Sequence, residues 1–368
     1  MWSVPNQEVG LTRIESPGPT WLTVPGKRTA ESSLRDAATA AFAVNGDAGR
    51  ALELSRALGG SVPRPGSGRT LRLLETLASL AAADLTAARV AEAHLDALAI
   101  LDQAALHPAG LVARGSPEPS WGVFAAEAAG SRLEARPVGG ERWRLDGTKP
   151  WCSLAGSLSH ALVTANTTAT TRRLFVVDLA DPGITVRTDA WVSRGLPAVP
   201  SGPVEFRGTM ARPVGDDGWY LRRPGFAWGG IGVAACWWGG AVGLARRVWE
   251  SVLEREPDQI ALAHLGALDL ALTAAGTSLA AAAAAIDAGD AVGDQGALLA
   301  ARVRGQVART VDEVITRTGH ALGPAPLAFD ARHAGRIADL QLYVRQHHAE
   351  RDDAALGRRL RDAGVSPW

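Results

Sequence analysis

Cysteine is nearly absent. The 368 residues hold two, Cys152 and Cys236. Two thiols cannot build a framework of bridges, and neither sits at a metal-ligand spacing, so the expected setting is a reducing cytoplasm. Charge of one sign is also missing. Lys plus Arg number 38, Asp plus Glu number 38, and the formal net charge is zero, which removes the bulk electrostatic case for nucleic acid or an anionic membrane. Long hydrophobic runs are absent as well. The longest, Leu279 to Ile286, is mostly Ala and falls short of the roughly 20 residues that a membrane span needs. The first eight residues, Met1 to Glu8, lack the basic start and apolar core of a signal peptide. Lysine occurs only at Lys27 and Lys149 among those 38 basic residues, so a Lys kept inside a motif is informative.

What remains is a soluble, globular composition, 46% hydrophobic and 21% charged, long enough for two or three domains. Residues 1–30 are rich in Pro and Gly and read as an irregular arm. From Ser32 the apolar spacing turns helical: Leu34, Ala37, Ala41 and Phe42, then Ala51, Leu52, Leu54 and Leu58, ended by Gly59-Gly60. A helix through Leu71, Leu74, Leu77 and Leu80 follows. Another, capped by Asp84, carries Ala88, Ala91, His94, Leu95, Leu98 and Leu101; His94 reads as a packed helix residue. At Pro108 the helical period stops. Short alternating runs follow at 133–138, 141–145, 160–165, 174–178, 184–187 and 204–207, with Asp146-Gly147 among the turn signals. Helices return from Phe226, over 233–255, 260–288, 298–318 and from Asp330 to about Gly357. The expected fold class is α+β: an N-terminal helical domain (1–108), a middle antiparallel β domain (109–220) and a C-terminal four-helix bundle (221–368).

The most informative segment is Arg142-Trp-Arg-Leu-Asp-Gly-Thr-Lys-Pro-Trp-Cys-Ser153. A half-buried strand runs into Gly-x-Lys-x-Trp-x-Ser. This pattern, together with the helix–β–helix order, resembles the acyl-CoA dehydrogenase family. The resemblance implies FAD as cofactor, with Trp151 packed on the isoalloxazine and Ser153 hydrogen-bonded near its N5. It implies an acyl thioester substrate on CoA or a carrier protein, an electron-acceptor flavoprotein as partner, and a homodimer or homotetramer.

Other family motifs are degenerate. Thr-Glu-Pro-x-x-Gly-Ser-Asp is matched by Ala126-Glu-Ala-Ala-Gly-Ser-Arg132. The flavin-bonding Thr has become Ala126, whose loss of a side-chain hydrogen bond costs about 1 kcal/mol, while Ser131 is kept. Arg255 is matched to an Arg that reaches the flavin pyrophosphate of a neighbouring subunit, but the Phe-Gly after it is replaced. Glu256 falls where a branched-chain subgroup places its base. Asp339 matches the Asp of Arg-Asp, and eight positions on, His347 stands where the family has its catalytic Glu. A neutral imidazole is a competent base near pH 7. His348 is its neighbour and a cofactor-side candidate, Glu350 competes on the same helix face, and His320 is a further candidate. Trp228, Trp237 and Trp238 fall on the helix that walls the acyl pocket and read as core. The expected activity is α,β-dehydrogenation. The alternatives are a flavin monooxygenase of the same fold, with His347 or His348 near the flavin, and a flavin-poor non-catalytic subunit.

Overall fold

The computed structural model describes residues 18–22, 31–112, 118–254, 256–364, 366 and 368. Most of the expected N-terminal arm, Lys27 and Arg255 lie outside the described residues.

Four helices come first: α1 (Glu31–Val44), α2 (Ala48–Gly59), α3 (Thr70–Ala83) and α4 (Leu85–Gln103). The single helical stretch expected from Ser32 is cut in two because Asn45 and Gly46 both take positive φ, 49° and 75°, and Asp47 then caps α2 through the Arg50 N–H. Asp84 caps α4 as expected, accepting from the Ala87 N–H at 2.8 Å. Its other oxygen accepts from the Gly46 N–H, also at 2.8 Å, which ties the α1–α2 turn to α4.

Seven strands follow: β1 (Trp121–Phe124), β2 (Leu133–Gly139), β3 (Arg142–Lys149), β4 (His160–Asn166), β5 (Arg172–Asp178), β6 (Ile184–Val186) and β7 (Val204–Val214). The order β4-β2-β3-β7-β5 closes on itself through β4–β5 pairing. The ladders are antiparallel except those of β1 with β4 and β2 with β4, which are parallel. Asp146-Gly147 is not a hairpin turn. It lies inside β3 at a bulge against β7, where Asp146 accepts from the Gly208 N–H at 2.7 Å. Gly147 has φ 123°, and a Cβ there would meet the Arg132 carbonyl oxygen at 2.2 Å, so only Gly fits. The barrel interior is filled by Phe124, Leu145, Val163, Phe175 and Phe206. Its outer face packs Trp121, Leu162, Leu174 and Val176 onto Ala97, Ile100 and Leu101 of α4.

The C-terminal part holds α5 (Trp219–Arg222), α6 (Pro224–Glu254), α7 (Gln259–Ala288), α8 (Gly293–Leu322), α9 (Ala325–Phe329), α10 (Ala331–Tyr343) and α11 (Glu350–Asp362). α6 starts nine residues before the expected Val233, because its glycines are contact points and not breaks. A Cβ at Gly239 would lie 2.2 Å from the Ala78 carbonyl oxygen of α3; close helix approach outweighs the roughly 1 kcal/mol that Gly costs a helix interior. The last expected helix is interrupted at 344–349, where Ala349 takes φ 47°. α7 is long and apolar enough to cross a membrane by length and composition, beyond the short run from which no span was expected. Here Leu268, Ala275, Leu279 and Ile286 pack into the main helical core, while Ile260, Leu262 and Leu270 are exposed.

His94 is buried. Its Nδ1 accepts from the Trp121 N–H at 3.2 Å, linking α4 to β1, and its Nε2 is buried without a partner among the described residues. Burial first, then Arg64 and Arg56, lowers its pKa from 6.5 to about 4. The folded chain therefore keeps His94 neutral while the unfolded chain protonates it below about 6.5. Stability is complete above that pH and falls as pH drops toward 4, by a total on the order of 3 kcal/mol. The His94→Gln protein is expected to show a flatter dependence of Tm on pH over this window; an unchanged slope would remove His94 as its source.

Candidate functional site

β3 ends at Lys149, which is buried. Its Nζ donates to Glu127 Oε1 at 2.6 Å and Thr164 Oγ1 at 2.8 Å, and Arg172 reaches the same Glu127 oxygen at 3.1 Å. Burial pulls the Lys149 ammonium below its usual value and pushes Glu127 up, but Lys149 and Arg172 together hold the Glu127 carboxyl below its ordinary range. Two cations on one partly solvated carboxylate keep the pair ionised near neutral pH. This explains the retained Lys: it anchors the strand end beneath the next residues.

Those residues are strained. Trp151 has φ 58° and Leu154 φ 57°, a region that bulky residues rarely enter and that costs roughly 1–3 kcal/mol each. Leu154 is buried and pulls the chain inward. Trp151 is 56% exposed, so the strain presents a large indole to solvent at the β-domain rim. Between them Cys152 is buried and free, its thiol pushed up by burial.

Ser153 faces the helices. Its Oγ receives Arg89 Nη2 of α4 at 2.9 Å and lies 2.8 Å from Ser201 Oγ. Arg89 Nη1 donates to Glu92 Oε2 at 3.2 Å, and Tyr343 Oη donates to the same oxygen at 3.3 Å. The Arg89 guanidinium also lies over the Tyr343 ring, 5.8 Å from its centroid. One turn further along α4, Asp96 is 3.8 Å from Arg223. Burial raises the Glu92 carboxyl to about 7, against the opposing charge of Arg89. α4 thus turns a charged stripe, Arg89, Glu92 and Asp96, inward toward α6 and α10.

Across this stripe stands Trp237, fully buried, with Arg304 of α8 4.6 Å above its ring. Trp228 and Trp238 donate to the Ala291 and Leu272 carbonyls. All three are packed residues. Arg304 also donates to the Gln346 carbonyl at 3.1 Å, which brings His347 to the same end of α8. His347 is buried, its Nε2 3.7 Å from where a Gly305 side chain would begin. Its Nδ1 accepts from the Ala349 N–H at 3.2 Å. The neutral ring with this bond carries its proton on Nε2, 3.8 Å from Asp352, and its one basic nitrogen is engaged by a backbone N–H. This is a physical obstacle to the expected base role. Burial lowers its pKa, with Asp352 opposing.

The remaining candidates are dispersed. His348 is exposed and 3.5 Å from Asp352. Glu350 begins α11. Ala126 and Ser131 flank a surface turn with Gly130 at φ 80°; Ser131 is half-buried and Ala126 exposed. Glu256 is exposed and lines a cavity of about 380 Å³ with Asp258, His264 and His320. His320 lies 16 residues beyond Arg304 on α8, roughly 24 Å at 1.5 Å per residue. Glu256 and His320 are therefore not brought together with His347 or Ser153 within the chain. Asp339 supports the site from below: its carboxylate, raised to about 6 by burial, accepts from the Leu196 N–H at 2.5 Å, joining α10 to the loop before β7. The sequence reading missed Arg89, Glu92, Arg304 and Tyr343. A signal was present, since Arg89, Glu92 and Asp96 recur at three-and-four spacing along an otherwise apolar helix.

No family model and no curated protein matches the chain. Solved structures do. KijD3, in complex with FMN and dTDP-3-amino-2,3,6-trideoxy-4-keto-3-methyl-D-glucose, is 20% identical, with a TM-score of 0.75 over 95% of this chain and 97% of that one. FMN-bound TdsC from Paenibacillus sp. A11-2, a dibenzothiophene monooxygenase, is 18% identical, with a TM-score of 0.67 over 89% and 98%. Butyryl-CoA dehydrogenase from Megasphaera elsdenii is 17% identical, with a TM-score of 0.67 over 80% and 82%. The chain has the acyl-CoA dehydrogenase-like fold, with helical N- and C-terminal parts around a β domain.

Proposed function

We propose that this chain is a flavin-dependent oxidoreductase whose isoalloxazine lies against Trp151 and beside Ser153. The observation that carries this is the exposed indole on strained left-handed backbone, next to a hydroxyl held in a polar network, in a fold whose neighbours were solved with FMN. The residues present fit such a group: a large apolar face for the ring, and donors beside it. The flavin would supply the electron transfer; the chain binds it, orients the substrate and excludes water. FAD is the cofactor that the sequence resemblance implies, and FMN is favoured here by the neighbours. The expected result is that purified protein is yellow or takes up FMN on incubation, and that Trp151→Ala lowers occupancy through lost stacking area of a few kcal/mol. A protein that takes up neither FMN nor FAD leaves the non-catalytic reading in force.

The favoured reaction is oxygenation of a polar substrate by reduced flavin and oxygen, over dehydrogenation of an acyl thioester. Two features support it. Arg89, Glu92, Tyr343 and Trp237 fill the space between α4, α6 and α10 with charge and bulk, which does not suit an apolar acyl chain. The one basic nitrogen of neutral His347 is engaged by a backbone N–H. Under this reading His347→Gln keeps its flavin and loses less than about tenfold in turnover, because general-base catalysis worth a hundredfold or more is not lost. A loss above a hundredfold, with flavin retained, restores the base role.

We also propose a homodimer or homotetramer in the cytoplasm, associating through the outward face of α7, where Ile260, Leu262 and Leu270 are exposed. Light scattering at micromolar concentration is expected to give a multiple of the 38.3 kDa chain; a monomeric mass removes this face as an interface.

A further inference from the structure

The hydrogen bonds around Ser153 have one self-consistent direction. Ser201 Oγ donates its single proton to the Val199 carbonyl at 3.0 Å. For the 2.8 Å contact between the two hydroxyls to be a bond as well, Ser153 must be its donor. Arg89 Nη2 donates to Ser153 Oγ at 2.9 Å. Ser153 therefore gives its proton inward to Ser201 and receives one from Arg89. Its hydroxyl has nothing left to donate to a flavin. The group behind it that still carries protons and a fixed charge is the Arg89 guanidinium, whose side chain is 14% exposed.

We propose that Arg89, and not the Ser153 hydroxyl, is the hydrogen-bond donor at this edge of the flavin, and that its charge stabilises the anionic reduced cofactor. This rests on the flavin reading above. A hydrogen bond from a guanidinium is stronger than one from a neutral hydroxyl, and a charge in a partly desolvated site acts at lower effective dielectric than in water. Glu92 is the counterweight. It holds Arg89 at 3.2 Å and is itself held by Tyr343 at 3.3 Å, so it fixes the guanidinium in place and offsets part of its field. With a carboxyl raised to about 7 by burial, Glu92 is readily neutralised, and the field of Arg89 then acts unopposed. Asp96 is engaged by Arg223 at 3.8 Å and Arg304 stacks on Trp237, so among the described residues Glu92 is the carboxylate that pairs with Arg89.

Sulfite is a probe that needs no substrate. It adds to an oxidised flavin as a nucleophile: a sulfur–N5 bond forms, the electron pair of the ring's C=N bond moves onto the pyrimidine ring, and the adduct carries that negative charge. No outside oxidant or reductant takes part, and bleaching of the visible flavin band reads the dissociation constant. With flavin-loaded protein, Arg89→Met is expected to weaken sulfite binding at least tenfold, and Arg89→Lys to fall between it and the wild type. Glu92→Gln is expected to tighten sulfite binding severalfold. Loss of packing alone would not move the two sites in opposite directions. Wild-type affinity in a flavin-loaded Arg89→Met protein overturns the proposal, as does a Glu92→Gln protein with unchanged or weakened affinity. If Arg89→Met does not hold flavin, the Glu92→Gln result decides alone. A wild-type protein that holds no flavin overturns the flavin reading first, and absorbance before any sulfite is added shows this.

Discussion

The ion pair of Arg89 with Glu92 is the constraint around which the site is arranged. Two charges taken from water on one face of α4 cost several kcal/mol each unless paired and hydrogen-bonded. The pairing recruits one group from each surrounding part of the chain. Ser153 comes from the β domain and Tyr343 from α10, and the Trp237 ring of α6 packs edge-on to Tyr343, 6.3 Å between centroids. Ser153 and Tyr343 hold the pair from its two sides, so the stripe ties α4, α10 and the β-domain rim together. Buried ion pairs are weak evidence for stability. This one, beside strained backbone, is among the observations on which the proposed site rests.

Strain and exposure meet at Trp151 for a related reason. Lys149 is locked by Glu127 and Thr164, and Leu154 is pulled into the helical core. The four residues between these anchors must turn outward over a short span, and left-handed backbone at Trp151 and Leu154 accomplishes it. The indole is left facing solvent although burial would stabilise it. A large aromatic held out in this way offers apolar area that a planar ligand can cover on stacking.

Much of this was legible in the sequence. The layer order followed from hydrophobic period alone, since 3.6-residue spacing gave way to alternation after Pro108 and returned from Phe226. The Asp84 cap, the burial of His94 and the strand before Trp151 were read from local chemistry. What could not be read depends on partners distant in the chain. The positive φ of Asn45 and Gly46 is held by Asp84, 38 residues away. The helical state of the Gly-rich start of α6 depends on α3 and α4. Asp146-Gly147 has turn composition, but β7 captures it as a bulge. Counting from Asp339 singled out His347 but not the orientation of its ring, which the Ala349 N–H decides.

The same logic separates fold from chemistry. Butyryl-CoA dehydrogenase and FMN-bound TdsC share this architecture at nearly equal TM-scores, so the scaffold does not choose between dehydrogenation and oxygenation. On the proposed reading, the choice lies in what lines the space beside Ser153. An apolar acyl chain needs a dry wall there, and the charged stripe of α4 would lose any remaining water on binding it. Glu92 already has two partners, Arg89 of α4 and Tyr343 of α10, and Arg89 is tied in turn to Ser153, so repacking the space for an acyl chain would need coordinated change in α4, α10 and the β-domain rim. On the proposed reading a polar substrate meets this pairing at its Ser153 edge, where the Arg89 side chain is 14% exposed, and leaves the buried Glu92 and Tyr343 undisturbed. The residues that make the interior costly to bury are therefore the ones that restrict what can enter it.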